Sequence, residues 1–322
     1  SKSLVVEEDG FLKGTISDGD IRDALLSGKK INGKINKIYN KDCTFFYEKD
    51  QDTKKIKNVM LKNRFDLIPI TNKQKKIINI YTFRNLFGEV RSKVSLKKIA
   101  VVIMAGGLGK RMRPITSIIP KPLIPIEGKP LIEIIIEKFR YYKIDKFFIS
   151  TNYKGSLIKA FFTDLRPKYN VEYIDENQPL GTVGSLGFLK KKLKSDFFVI
   201  NCDTIIDIDF SDAYKFHKSK KFDLTIIASK KDYKIPYGTC IVDDNGLLRE
   251  IKEKPSIDFL ANTGLYIFTY KILRLIPENK KLDFDVLLKT LLKKNVSIGV
   301  YPINDDFWVD VGSLKDYKKI SN

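Results

Sequence analysis

A chain of 322 residues, 43% hydrophobic and 30% charged, can bury a large core and leaves room for two domains. No apolar run approaches the ~20 residues a membrane helix needs, and the N-terminus lacks the long apolar core of a secretory signal, so neither a membrane span nor export is expected. The formal charge of +20 comes from 59 Lys and Arg against 39 Asp and Glu, but the lysines are spread along the whole chain without interleaved aromatics, which points to phosphate-bearing small molecules rather than nucleic acid.

Cys43, Cys202 and Cys240 are far apart and lack metal-type spacing, as in a reduced, cytoplasmic protein. The single histidine, His217, sits in a lysine-rich segment expected to be a helical surface. That argues against histidine-based acid/base or nucleophilic catalysis.

The first ~95 residues carry a weak internal repeat. Leu4 to Ile21 reads as strand, turn, strand and helix start, and Pro69 to Leu86 repeats the pattern, with Ser17 answered by Thr82 and Asp20 by Asn85. Asp52 to Asn63 reads as an amphipathic helix through Ile56, Val59 and Met60. The first copy has no such helix in front and the chain begins at Ser1, so part of this module is expected to be missing from the sequence. Ser17 and Asp20 could simply cap the helix that follows. The repeat also resembles the paired regulatory modules called CBS domains, in which a Ser/Thr and an Asp three residues later contact the phosphate and ribose of an adenine nucleotide. That resemblance implies a small α/β module over residues 1–92, with Ser17 and Asp20 as a regulatory nucleotide site. Structural packing, or assembly into a homo-oligomer through this module, is an equal alternative. Arg91 to Lys98 is polar and basic and reads as the linker.

From Ile99 apolar runs alternate with helical stretches, the pattern of an α/β fold with a mainly parallel sheet. The run Ile99 to Met104 leads into Ala105-Gly-Gly-Leu-Gly-Lys-Arg-Met-Arg-Pro114, followed by Pro120-Lys-Pro122. Glycines let this loop turn its N–H groups outward, and Arg111, Arg113 and Lys121 add positive charge, which suits a polyphosphate. A glycine-rich turn with solvated basic residues is the plainer reading of the loop taken alone. The strand Phe197 to Asn201 ends at Cys202-Asp203-Thr204, on the same sheet edge by the rule that ligands sit beyond strand carboxyl ends. Asp203 would there either ligate Mg²⁺ beside the phosphates or cap a helix. Asp310, in Trp308-Val-Asp-Val-Gly-Ser313, is a second ligand candidate or part of a strand-to-helix turn bent at Gly312. Between them lie Gln178-Pro-Leu-Gly-Thr182, Tyr237-Gly238, Glu253-Lys254 and Asn262-Thr-Gly264, a mix suited to a base, hydroxyls and a phosphate.

In this order the motifs resemble those of the sugar nucleotidyltransferase family, mannose-1-phosphate guanylyltransferases among them, whose signature is G-x-G-x-R-x-x-P followed by P-K-P. The resemblance covers a domain over residues 98–322 and implies a Rossmann-like mixed α/β fold. The implied reaction joins a nucleoside triphosphate to a sugar 1-phosphate and releases pyrophosphate, with Mg²⁺ as cofactor. It implies that Ala105, Gly106, Gly107, Gly109, Gln178, Gly181 and Thr182 line the nucleotide, and that Arg111 holds the leaving pyrophosphate. Lys121 would neutralise phosphate charge and Lys254 would grip the sugar phosphate. Asp203 and Asp310 would bind the metal, while Tyr237, Gly238, Glu253, Asn262 and Gly264 surround the sugar. The Gln-Pro-Leu-Gly-Thr segment is closest to guanylyl-transferring relatives, so GTP is expected ahead of dTTP or UTP, with GDP-glucosamine or GDP-mannose as products of bacterial surface-glycan or nonulosonate synthesis. Lys110 departs from the family pattern and has no assigned role. Since no hexapeptide-repeat extension follows, acetyltransfer is not expected. A catalytically silent adenine-nucleotide sensor is the competing class. A dinucleotide oxidoreductase fails because Arg111 and Met112 stand where a third glycine is needed.

Overall fold

In the computed structural model, which describes residues 3–29, 34–63, 65–82, 86 and 95–320, the chain divides into two units, Ser1–Lys93 and Val94–Asn322. In the first, β1 (Ser3–Glu8) and β2 (Phe11–Ser17) form an antiparallel hairpin. Asp9 and Gly10, at φ 53° and 81°, make the Asp-Gly turn whose handedness matches the strand twist. Ser17 and Asp20 open α1 (Asp18–Leu26) as a capping box: Ser17 N–H donates to Asp20 Oδ2 at 2.8 Å, and Asp20 N–H to Ser17 Oγ at 3.3 Å. The capping reading of this pair therefore holds in the structure. Next, β3 (Phe46–Tyr47) runs parallel to β4 (Leu67–Thr71), which pairs antiparallel with β5 (Ile77–Thr82). α2 (Thr53–Asn63) seats Ile56 and Met60, four residues apart on one face, against Ile68 and Ile70. Asn85, the proposed counterpart of Asp20, and residues 91–94 of the linker lie outside the described residues.

Leu96 is buried and its N–H donates to Tyr142 O at 2.9 Å, so the end of the segment read as linker is packed into the second unit. That unit is built on a seven-stranded sheet. Its strands are β6 (Ala100–Met104), β9 (Lys146–Thr151), β10 (Asn170–Asp175), β11 (Phe197–Asn201), β13 (Leu224–Lys234), β16 (Ser256–Phe268) and β17 (Ile298–Ile303), in the order β10-β9-β6-β11-β16-β13-β17. All run parallel except β16, which opposes both its neighbours. Small pairs decorate it: β7 (Pro125–Ile126) with β8 (Lys129–Pro130), β12 (Thr204–Ile206) with β18 (Trp308–Asp310), and β14 (Thr239–Val242) with β15 (Leu248–Lys252).

The central strands read as unbroken apolar runs because both faces are covered. Val101, Ile103, Phe147, Ile149, Phe198 and Ile200 face one core, with α3 (Leu131–Arg140), α4 (Gly155–Leu165) and α5 (Phe210–Ser219) over it. Ala100, Val102, Phe148, Phe197 and Val199 face the other, covered by a short 3-10 segment at Gly184–Leu189 and by α6 (Phe284–Lys293). The chain leaves β6 toward β9 and β10, then returns to the other side of β6 as β11, so β6 and β11 flank the switch point where loops diverge and leave a crevice. Among the described residues no helix is long and apolar enough to cross a membrane.

The sequence places His217 on a helical surface; the structure corrects this. His217 lies on the inner face of α5 with none of its surface exposed, its Nδ1 is 2.8 Å from Thr225 Oγ1, and its Nε2 is buried without a hydrogen-bond partner among the described residues. Burial holds its pKa below the ordinary 6.5. Protonation therefore favours the unfolded chain: the stability is present above about pH 6.5 and is lost as pH falls through the depressed native value. Urea unfolding from pH 7.5 to 5 should show a steeper loss for the wild type than for His217→Leu, whereas equal slopes would remove His217 as the cause.

Candidate active site

Where β6 ends, the Ala105 N–H is still bonded to Ser150 O at 3.1 Å, and the chain then turns away from the sheet. Gly106 crosses directly over a buried carboxylate: a Cβ there would lie 3.0 Å from Glu176 Oε1. At Gly109 φ is +59° and a Cβ would lie 2.8 Å from Thr116 Cγ2, so glycine is required by both conformation and space. Thr116 closes the loop by donating from Oγ1 to Gly109 O at 2.9 Å. A 3-10 turn over Lys110–Met112 then buries Met112 and leaves Lys110 and Arg111 exposed, as is Gly107.

A second 3-10 turn, Lys121–Leu123, follows Pro120 and includes Pro122, and it turns Lys121 inward, where it is 7% exposed. Its Nζ meets Asp203 Oδ2 at 2.6 Å. Asp203 stands just beyond β11, and the ladder carries on past the strand end, with Cys202 N–H donating to Met104 O at 3.2 Å. Asp310 is brought alongside by the β12/β18 pairing, in which Thr204 opposes Asp310, and by Val311 N–H donating to Asp203 O at 2.8 Å. The Asp310 carboxyl is held above its ordinary 3.8, first by desolvation and then by the charge of Asp203, while Lys121 and Arg111 pull it down. Four charged groups that are up to 199 positions apart, Arg111 and Asp310 being the outermost, thus share one field at the switch point.

Among the described residues no three His, Cys, Asp or Glu side chains converge as a metal cluster. Two neighbouring carboxylates, one of them disfavoured in its charged form by the other, nevertheless suit a divalent cation that draws its remaining oxygen ligands from phosphates.

The remaining predicted residues fall into three groups. Gln178 is exposed in the turn after β10. Gly181 has φ +77°, and Thr182 accepts the Phe284 N–H at Oγ1 (2.7 Å), a hydrogen bond to the first turn of α6. Tyr237 and Gly238 are set beside Glu253 and Lys254 by the Ile235 N–H to Pro255 O bond of 2.9 Å. A Cβ on Gly238 would lie 3.1 Å from Glu253 Oε2, and Tyr237, Glu253 and Lys254 are exposed. Asn262 spends its amide locally, Nδ2 donating to Tyr266 OH and Oδ1 accepting from Gly264 N–H. Gly264, at φ +81°, leaves room for Asn201, whose Nδ2 would be 2.5 Å from an added Cβ. Gly264→Ala should therefore cost about 1–2 kcal/mol or more from the left-handed conformation alone. An unchanged urea midpoint would show that Asn201 and the backbone relax freely.

Sequence reasoning missed Glu176, Asn201 and Asp283. Glu176 accepts Ser150 Oγ–H at 2.6 Å and Leu180 N–H at 3.1 Å, and so ties the end of β9 to the turn that follows β10, beneath Gly106. The only hint was a carboxylate two residues before Gln178.

The sequence profile of the Nucleotidyl transferase family matches residues 100–322, more than half of the chain. The chain belongs to that family. It is 34% identical over 238 residues to a UTP–glucose-1-phosphate uridylyltransferase from Synechocystis, a match covering 67% of this chain and 61% of that protein. It is 33% identical over 217 residues to the D-glycero-alpha-D-manno-heptose 1-phosphate guanylyltransferase of Campylobacter jejuni, covering 67% of this chain and 96% of that one. Among solved structures, HddC from Yersinia pseudotuberculosis superposes with a TM-score of 0.55 at 30% identity, over 69% of this chain and 98% of HddC. A second structure of HddC is complexed with GMP-PN.

Proposed function

We propose that this nucleotidyl transferase joins a sugar 1-phosphate to a nucleoside triphosphate, GTP by preference, and releases pyrophosphate. The observation that carries the reading is the Lys121–Asp203 pair at 2.6 Å, with Asp310 alongside, at the mouth of a glycine loop on the switch point. The loop amides and Arg111 would hold the β- and γ-phosphates, and Lys121 would neutralise charge beside the α-phosphate. Asp203 and Asp310 would hold Mg²⁺, which when bound offsets charge on the phosphate oxygens. A sugar-phosphate oxygen, already ionised, attacks the α-phosphorus in line as the bond to pyrophosphate breaks. Such chemistry draws on positioning and charge stabilisation rather than on a general base, in keeping with a histidine locked in the core. Tyr237, Gly238, Glu253, Lys254, Asn262 and Gly264 are the groups offered to the sugar phosphate.

Support for GTP comes from the heptose guanylyltransferase relative, from the GMP-PN complex of HddC and from the Gln178–Thr182 segment. The uridylyltransferase relative supports UTP as the second reading. The first unit is read as a CBS-type module whose Ser17 and Asp20 would meet an adenine nucleotide. Purified protein, Mg²⁺ and a panel of sugar 1-phosphates with each of GTP, UTP, dTTP, CTP and ATP tests the function by pyrophosphate release. Release fastest with GTP is the expected outcome; a faster UTP reaction would reverse the base assignment, and silence across the panel would reject the enzyme reading.

A further inference from the structure

The segment assigned to the nucleotide base is fastened at both ends by carboxylates that the reaction itself does not use. At its start Glu176 takes the Leu180 N–H. At its end Asp283, the residue before α6, accepts the Thr182 N–H at Oδ1 (3.2 Å), while Thr182 Oγ1 accepts the Phe284 N–H at 2.7 Å. Each strand of the chain thus supplies a side-chain acceptor for a backbone N–H of the other, an exchange of caps between residues 101 positions apart. The backbones lie close enough for Leu282 N–H to reach Leu180 O at 2.9 Å. Gly181 is what permits this: a Cβ there would lie 2.5 Å from Asp283 Oδ1 and 2.7 Å from Leu282 O.

We propose that Asp283 is a positioning residue for nucleotide recognition, clasping the Gly181–Thr182 turn to the start of α6 so that the base-facing backbone is set before the nucleotide arrives. The inference rests on the nucleotidyltransferase reading of the 178–182 segment. Its physical basis is preorganisation: a turn already held in its bound shape loses less conformational freedom on binding, so loosening it weakens nucleotide affinity while the phosphate chemistry, carried by Arg111, Lys121, Asp203 and Asp310, continues. The bland alternative is that the Asp283 charge, which makes no side-chain cap hydrogen bond to the helix, only favours the N-terminal end of α6.

Two measurements on the full chain separate these. Asp283→Ala should raise the KM for GTP about tenfold, the effect of losing one hydrogen bond to a charged group, with kcat and the KM for sugar 1-phosphate within about twofold of wild type. Asp283→Asn, which keeps an acceptor oxygen, should restore most of the affinity. Independently of turnover, amide hydrogen exchange at residues 180–184 should accelerate in Asp283→Ala while exchange in the central sheet stays slow. Unchanged exchange at 180–184 overturns the clasp whether or not the protein turns over. A lowered melting temperature with unchanged KM for GTP overturns it in favour of a charge that only stabilises the helix end. Wild-type silence in the pyrophosphate screen with accelerated exchange in the variant would instead overturn the functional reading while leaving the mechanical clasp intact.

Discussion

Asp203→Asn is expected to lower the rate of pyrophosphate release by about 10³-fold at saturating substrates, the scale of losing a charge that organises a transition state. The substitution tests the site because the backbone duties of residue 203 are untouched: its carbonyl accepts Val311 N–H, and Thr204 beside it opposes Asp310 in the β12/β18 pairing. The side chain meets Lys121, and an amide oxygen can still accept from that ammonium. What vanishes is the negative charge that, with Asp310, suits a divalent cation. Melting temperature should therefore stay within a few degrees of wild type while turnover collapses, as circular dichroism and a coupled pyrophosphate assay would show. Near-wild-type turnover would remove Asp203 from the metal and leave it as the counter-ion of Lys121 alone.

How much of this was legible in the sequence differs by element. Strands β6 and β11 were readable because a strand buried on both faces is apolar throughout, and the residues that follow such strands in an α/β sheet fall on one rim whatever their separation in the chain. That logic put Ala105–Gly109 and Asp203 together correctly, and the pairing of β12 with β18 completed the group with Asp310. His217 was misread because charge density along a segment says nothing about which side of a helix each residue takes: Lys215, Lys218 and Lys220 face outward while His217 turns toward Thr225. Glu176 and Asp283 were invisible for another reason. The distant partners of these carboxylates, the Ser150 hydroxyl for Glu176 and the Thr182 N–H for Asp283, are set by tertiary approach rather than by a local period, so no spacing in the sequence announces them. Thr182 shows the same limit from the other side. Its place in the motif suggested the nucleotide, and in the structure its hydroxyl oxygen also serves the first turn of α6.

Lys121→Met should lower kcat by 10²- to 10³-fold, about the effect of removing one preorganised donor from a transition state. The lysine is nearly buried, and the Asp203 side chain it pairs with is 22% exposed, so after the substitution water can still reach the carboxylate. Methionine matches the length of the aliphatic stem and keeps an unbranched apolar side chain in its place. The structural penalty is therefore expected to be smaller than the 3–5 kcal/mol typical of breaking a fully buried pair. The chemical penalty is not softened in this way. Charge on the α-phosphate is at issue only when the nucleotide is present and water is displaced, and it is then that an ammonium already fixed against Asp203 contributes most, having little reorganisation left to undergo. The effect should accordingly fall on kcat, with the KM values for GTP and sugar 1-phosphate changed only a few-fold. Steady-state kinetics of Lys121→Met beside its urea unfolding curve decide between the two roles. Wild-type kcat with reduced stability would make Lys121 a structural counter-ion to Asp203; a lost kcat with an intact unfolding curve would assign it to the reacting phosphate.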